Sequence, residues 1–280
     1  MPLIATDLDG TLLMSGTSEP HPDAVAAVHR ALAAGIPVVF ATGRAPQDVA
    51  PIAQAVGHHW WAVCCDGTAL VDLKSMNVSK THPMSAGVLG EVVERLRNQF
   101  PDVKFLVDRV SVGMIQTGHY GILFEAGFKA PWAWALNGAT EVEDITDHLN
   151  DPDIVKIAAY LPIDGEDETG YLQVKETVSD LVTAVRIHSS ETFVDMNSLG
   201  ISKATGVAEI AEMNGISQAD VFAVGDMHND LALLEWAGFS FAVENALPAL
   251  HDIADVIVPS NDNGGVKAVV DAAMNHLLEP

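Results

Sequence analysis

The sequence predicts an α/β protein with a parallel-sheet core and an inserted α+β domain. Three observations predict it. Short apolar runs alternate with helical patterns over the first 80 or so residues. The same alternation returns over the last 80 or so. Between these ends, strand-like runs follow one another closely. Strand–helix alternation builds a parallel sheet with right-handed crossovers, whereas strands in close succession pair antiparallel.

The elements can be justified in order. Residues 3–8 (LIATDL) form an apolar run that ends in acid. Residues 22–34 have helical spacing, with Pro22 suited to a first turn and Gly35 to a stop. Residues 36–42 (IPVVFAT) and 60–65 (WWAVCC) read as buried strands. A helix over 46–56 between them is weakened by Pro51 in its interior. In the middle, 84–99 is an amphipathic helix and 104–109 and 112–117 are strands. Further strands fall at 154–161, 183–188 and 192–197, with a helix over 168–181. Residues 118–150, with Trp132, Trp134 and several glycines, read as loop with a short helix. Toward the C-terminus come a helix at 203–214, strands at 221–226, 239–243 and 254–259, and helices from 229, near 246–252 and over 265–278.

At 280 residues and 49% hydrophobic content, the chain can bury a sizeable core in one large or two modest domains. The net charge of −24, from 14 basic and 38 acidic residues, repels nucleic acid and anionic lipid and excludes both as expected partners. No apolar run reaches the ~18 residues needed to span a bilayer. The start, Met1 to Thr6, lacks the basic segment and unbroken apolar stretch of a secretory signal, so the expected location is the cytoplasm. The adjacent Cys64 and Cys65 sit in an apolar run and read as small buried side chains rather than a disulfide or zinc site.

In an open parallel sheet, ligands bind outside the carboxyl ends of the strands. The first strand ends in Asp7-Leu8-Asp9-Gly10-Thr11, and the second in Thr42-Gly43-Arg44. The third ends in Asp66-Gly67, and a later one in Gly225-Asp226-Met227-His228-Asn229-Asp230. Each has an ordinary reading. Asp-Gly is turn material, Thr-Gly is capping material, and most lysines, Lys203 included, are solvated. Turns do not explain the whole set of acids, amides, a Thr and a Lys at one sheet edge.

That set resembles the haloacid dehalogenase superfamily, and within it the Cof-type phosphatases with a large inserted cap. DLDGTLL (7–13) matches the first motif, ATGR (41–44) the second, Lys203 in GISKATG the third, and GDMHNDLALLEWAG (225–238) the fourth. The resemblance implies a Rossmann-like core, residues 1–82 with 199–280, and an α+β cap, residues 83–198, that acts as a substrate lid. It implies a phosphatase for small phosphomonoesters, with sugar phosphates as the natural expectation, working with Mg²⁺ through an aspartyl-phosphate.

The implied roles are chemically coherent. A phosphate ester is shielded by its own charge, so a carboxylate nucleophile needs positioning and neutralisation. Asp7 is the implied nucleophile. The side chains of Asp7 and Asp226 and the backbone carbonyl of Asp9 are the implied Mg²⁺ ligands. Asp9 is the implied acid that protonates the leaving oxygen and the base that activates water. Thr42, Gly43 and Gly10 would hold phosphate oxygens, and Lys203 would balance the charge of nucleophile and phosphate. Asp230 would orient Lys203 or hold metal-bound water, and Asn229 would contact phosphate or such a water. Arg44 would either reach the substrate's leaving group or simply pair with surface acid. Where the family pattern has Asn-Gly, this chain has Asp66-Gly67, an added carboxylate suited to selecting against anionic leaving groups.

Other readings compete. A receiver-type phospho-acceptor domain shares acids, Thr and Lys at a sheet edge, but is shorter and lacks both the Asp7/Asp9 spacing and an insertion. A phosphosugar mutase of the same superfamily would keep the fold and change the reaction. A binding protein on the same scaffold would not need every catalytic position filled.

Overall fold

The computed structural model describes residues 1–115, 121–130, 136, 138–161, 169–186 and 192–278. In chain order the elements begin with β1 (Leu3–Thr6), α1 (Pro22–Ala33), β2 (Val38–Ala41), α2 (Pro46–Val56) and β3 (Trp61–Cys64). Then come β4 (Ala69–Asp72), β5 (Asn77–Thr81), α3 (Ala86–Gln99), β6 (Lys104–Arg109), β7 (Gly113–Met114), β8 (Ile122–Glu125) and β9 (Thr140–Val142). They continue with β10 (Ile154–Leu161), α4 (Thr169–Val178), β11 (Val182–Arg186) and β12 (Thr192–Ser198). The C-terminal part holds α5 (Lys203–Met213), β13 (Val221–Gly225), α6 (Leu231–Trp236), β14 (Phe239–Val243), α7 (Pro248–His251), β15 (Val256–Val258) and α8 (Val266–Leu278).

The chain forms two compact units, Met1–Ser79 with Ser202–Pro280, and Lys80–Ile201. In the first unit, β15, β14, β13, β1, β2 and β3 lie side by side, all parallel. Every residue of β1, β2 and β13 is buried, as expected for strands covered on both faces. The register pairs Thr6 with both Phe40 and Val224, so these three strands end at the same level.

Local chemistry explains the helices. In α1, His21 accepts the Asp23 amide at 3.2 Å as an N-cap, and Pro22 occupies the first turn. Helix α2 continues through Pro51, which lies on its exposed face. Val49, Ile52, Ala53 and Val56 are buried, and this packing outweighs the one lost hydrogen bond. Gly57 closes α2 at φ 69°, a left-handed cap that favours glycine.

The sequence reading missed the strands β4 and β5. Strand β4 runs antiparallel to β3, with Trp61 opposite Asp72, so the core sheet is not wholly parallel. The turn after β4 is built by Asp72, whose carboxylate accepts from the amides of Lys74 and Ser75 and the Ser75 hydroxyl.

The second unit is a six-stranded sheet in the order β11-β12-β10-β6-β8-β9. Its pairs are antiparallel except β8–β9, which are parallel. Leu89, Val92 and Leu96 of α3 and Val174 and Val178 of α4 pack against Phe105, Ile157, Val194 and Met196 on one face. A separate cluster of Leu106, Ala158, Tyr160, Phe193 and Phe128 occupies the other. The strand expected at 112–117 is reduced to Gly113–Met114, with 116 and 117 outside the described residues. Within 118–150, read from the sequence as loop with a short helix, the structure places the strands β8 and β9 and a single helical turn at Ile145–His148. Trp132 and Trp134 lie outside the described residues.

Candidate active site

Asp7 follows the last residue of β1, and its amide donates to the Val224 carbonyl at 3.0 Å. That bond fixes the position of Asp7 beside the end of β13, where Asp226 sits. Gly10 adopts φ 75°, and a Cβ there would lie 2.3 Å from an Asp226 oxygen. Only glycine allows this approach of the first loop to the fourth. Thr11 then donates its hydroxyl to Asp226 Oδ1 at 3.1 Å.

Lys203 is the first residue of α5. Ser202 caps that helix, its hydroxyl accepting from the Thr205 amide while its own amide donates to the Thr205 hydroxyl. From this fixed origin the Lys203 ammonium donates to Asp7 Oδ1 at 2.6 Å and Asp230 Oδ1 at 2.7 Å. All three side chains are buried. The other Asp230 oxygen accepts the amides of Asp226 and Met227, each at 3.1 Å. Asp230 thus bonds Lys203 through one oxygen and the loop after β13 through the other. Gly225 is required here as well, since a Cβ would fall 2.4 Å from the Asp230 carboxyl carbon.

Carboxylate oxygens of Asp7, Asp226 and Asp230 lie within 4.8 Å of one another. Three buried acids surround one ammonium, which leaves an excess of negative charge. Burial raises the Asp7 carboxyl well above the usual range, against the pull of Lys203 and with the help of Asp230 and Asp226. Burial, followed by Asp230, pushes Asp226 up to about 7. Burial works against the Lys203 charge, but Asp230 and Asp7 overcome it and hold the ammonium firmly protonated. Hard oxygen donors with surplus negative charge suit a small divalent cation, so these residues fit Mg²⁺. The carboxylate of Asp9 is not part of this group. Its expected place among the metal ligands rests on its backbone carbonyl alone.

These shifts have a stability consequence. A carboxyl whose folded pKa is raised adds stability below its unfolded value, and that stability is lost as pH rises through the folded value. Metal-free protein is therefore expected to lose stability between about pH 4 and about pH 7 as Asp226 ionises. Asp226→Asn should flatten this decline. Thermal unfolding in chelator from pH 4 to 8 checks it, and parallel profiles for the two proteins would contradict it.

Arg44 donates to both oxygens of Asp9, Nε at 2.7 Å and Nη2 at 2.6 Å. Arg44 is thus paired with an acid in this structure. That acid is the one expected to move protons. Thr42 is buried, and its hydroxyl oxygen accepts the Arg44 amide at 3.1 Å, which leaves its O–H to donate elsewhere. Asn229 donates its amide to Asp66 Oδ1 at 2.9 Å, and both Asp66 oxygens lie just over 3 Å from where a Cβ on Gly43 would stand. The four core loops and Lys203 are thus brought together at one sheet edge.

Sequence reasoning missed two residues of this edge. Thr11 lies inside the first motif but was given no partner. Asn245 donates its amide to the Gly10 carbonyl at 2.8 Å and accepts the Asn261 amide at 3.1 Å. No local sequence signal marks Asn245, because its partner is distant in the chain.

A parallel sheet with a buried acid–lysine cluster at its carboxyl edge is a type of site that suits phosphoryl transfer. The chain belongs to the haloacid dehalogenase-like hydrolase family, which it matches over residues 4–270. It is 28% identical to pyridoxal phosphate phosphatase YbhA of Escherichia coli strain K12, over 99% of this chain and 98% of that protein. It is 26% identical to 5-amino-6-(5-phospho-D-ribitylamino)uracil phosphatase YcsE of Bacillus subtilis strain 168, over 96% and 94%. Among solved structures it resembles the phosphatase BT1666 from Bacteroides thetaiotaomicron, with a TM-score of 0.79, 23% identity, and coverage of 98% of this chain and 95% of that one. This last likeness concerns the fold. Among the described residues, no helix is long and apolar enough to cross a membrane.

Proposed function

We propose that this phosphoric monoester hydrolase cleaves small phosphomonoesters, sugar phosphates foremost, by way of an aspartyl-phosphate on Asp7. The observation that carries this reading is the Lys203 ammonium held between Asp7 and Asp230 beside Asp226. A buried carboxylate nucleophile near an anionic substrate needs such neutralisation. Asp7 attacks phosphorus through a carboxylate oxygen. The ester oxygen leaves with a proton from Asp9, which must first part from the Arg44 guanidinium that bonds both of its oxygens in this structure. Asp9 then takes a proton from water, which attacks the acyl-phosphate, releases inorganic phosphate and restores Asp7. Thr42, through its hydroxyl, and the Gly43 and Gly10 amides hold the phosphate oxygens. Mg²⁺, held by Asp7, Asp226 and the Asp9 carbonyl, would offset the repulsion between nucleophile and phosphate.

The names of the relatives add pyridoxal phosphate and a ribitylaminouracil phosphate to the candidate substrates. The core residues account for phosphate, proton and nucleophile but offer little to grip an organic group. We assign that choice to the inserted unit, Lys80–Ile201. Phosphate release is the test, over a panel of sugar phosphates, nucleotides and cofactor phosphates with Mg²⁺. Turnover of at least one class is expected, with loss on chelation and recovery on adding Mg²⁺. No phosphate from any member would remove the reading, and full turnover after exhaustive chelation would remove the metal from it.

A further inference from the structure

The loop after β3 has an unusual backbone. Cys65 and Asp66 are consecutive non-glycine residues in the left-handed region, at φ 48° and 54°. That conformation costs free energy, and where it persists the surroundings must impose it. Here the Cys65 amide donates to the Arg44 carbonyl at 2.9 Å, and the Asp66 amide to the Thr42 carbonyl at 3.0 Å. The two loops are laced together across the Thr42-Gly43-Arg44 segment.

The lacing delivers a carboxylate to a specific place. The two Asp66 oxygens lie 3.1 and 3.2 Å from where a Cβ on Gly43 would stand, so the carboxylate rests against the face of that glycine. Asn229 holds it there through a 2.9 Å hydrogen bond. Asp66 is only 2% exposed, so water screens its charge poorly. Its field reaches Lys203, whose ammonium it helps to keep charged. A negative charge is therefore built into the wall of the cradle assigned to phosphate.

We propose that Asp66 limits how tightly the site holds inorganic phosphate, the product, and so hastens its departure. This rests on the reading that Thr42, Gly43 and Lys203 hold the phosphate. Substrate and product share the phosphate group, so the repulsion loosens both by a similar factor. The substrate keeps the grip on its organic group, and the product has nothing else to hold it. At an effective dielectric near 20, a unit charge several ångströms away changes the affinity of an anion by roughly tenfold or more.

Calorimetric titration of the Mg²⁺-loaded protein with inorganic phosphate tests this. Asp66→Asn removes the charge, keeps an acceptor for Asn229 and tolerates the left-handed backbone. It should bind phosphate roughly tenfold more tightly. Asp66→Gly, which suits the same backbone without a side chain, should shift affinity in the same direction and decides the matter if the first variant does not fold. Tightening is the informative sign, because loss of a purely structural residue would loosen the site. Unchanged or weaker binding in the folded variants overturns the proposal. Thr42→Val separates the two levels. If it leaves phosphate affinity unchanged, the phosphate assignment itself fails. If it weakens binding while the Asp66 variants do not tighten it, only the role of Asp66 fails.

Discussion

Asp7→Asn is expected to lower phosphate release by ~10⁴-fold or more, with the fold intact. The amide matches the carboxylate in shape but cannot attack phosphorus. Its carbonyl oxygen can still accept from the Lys203 ammonium, which reaches Asp7 Oδ1 at 2.6 Å in the native protein. Burial already disfavours the Asp7 charge, so a neutral replacement relieves part of the excess negative charge. The metal-free variant should therefore melt no lower than the native protein. Phosphate-release kinetics and thermal unfolding together check this pair of outcomes. Native turnover in a folded Asp7→Asn protein would remove Asp7 as the nucleophile. Loss of turnover accompanied by unfolding would instead show a structural role.

Lys203→Met is expected to be damaging in both respects. The side chain of Lys203 is fully buried between Asp7 and Asp230. Deleting one partner of a buried ionic group leaves the others uncompensated, at a cost of about 3–5 kcal/mol. That exceeds the usual worth of a surface ion pair several-fold. Turnover should fall by ~10²–10³-fold, the scale for losing one charge that stabilises a developing anion. Lys203→Arg should not restore function, because a planar guanidinium is larger than the site built for an ammonium. Mg²⁺ should recover part of the lost stability, since a bound cation neutralises the same carboxylates. Urea unfolding with and without Mg²⁺ measures the first effect. A loss below about 1 kcal/mol in metal-free protein would mean that the ammonium does not hold the cluster together.

Much of the site was legible in the sequence because its chemistry is clustered in short segments. Asp7-Leu8-Asp9-Gly10-Thr11 and Gly225 to Asp230 each supply several polar groups within a few residues of a strand end. The apolar runs before them mark the strands, and parallel topology then directs their carboxyl ends to one edge. Long-range contacts were not legible. Nothing near Arg44 states that it will occupy both oxygens of Asp9. Nothing near Asn245 states that it will hold the Gly10 carbonyl, 235 positions away. The strand β4 is no shorter than β1, β2 or β3, but no α-helix separates it from β3, to which it returns antiparallel, so the strand–helix alternation does not mark it; β8 and β9 were hidden by their short, interrupted apolar patterns. The helix α2 was obscured for the opposite reason, since its local warning, Pro51, was overridden by burial of the other face.

By itself, the sequence determined the α/β alternation, the strand ends that carry chemistry, and the residue types available there. These follow from local pattern, because hydrophobic period, capping residues and turn residues act over a few positions. Only the tertiary structure decided which of those residues meet. Alignment of Thr6 with Phe40 and Val224 sets three strand ends level, and that register decides that Asp7 and Asp226 share a site. The start of α5 decides that Lys203 falls between Asp7 and Asp230 rather than in solvent. Lacing of Cys65 and Asp66 to the loop after β2 turns an Asp-Gly that reads as a turn into a buried charge against Gly43. Distances between side chains remote in sequence depend on how whole elements pack, and no local preference encodes them.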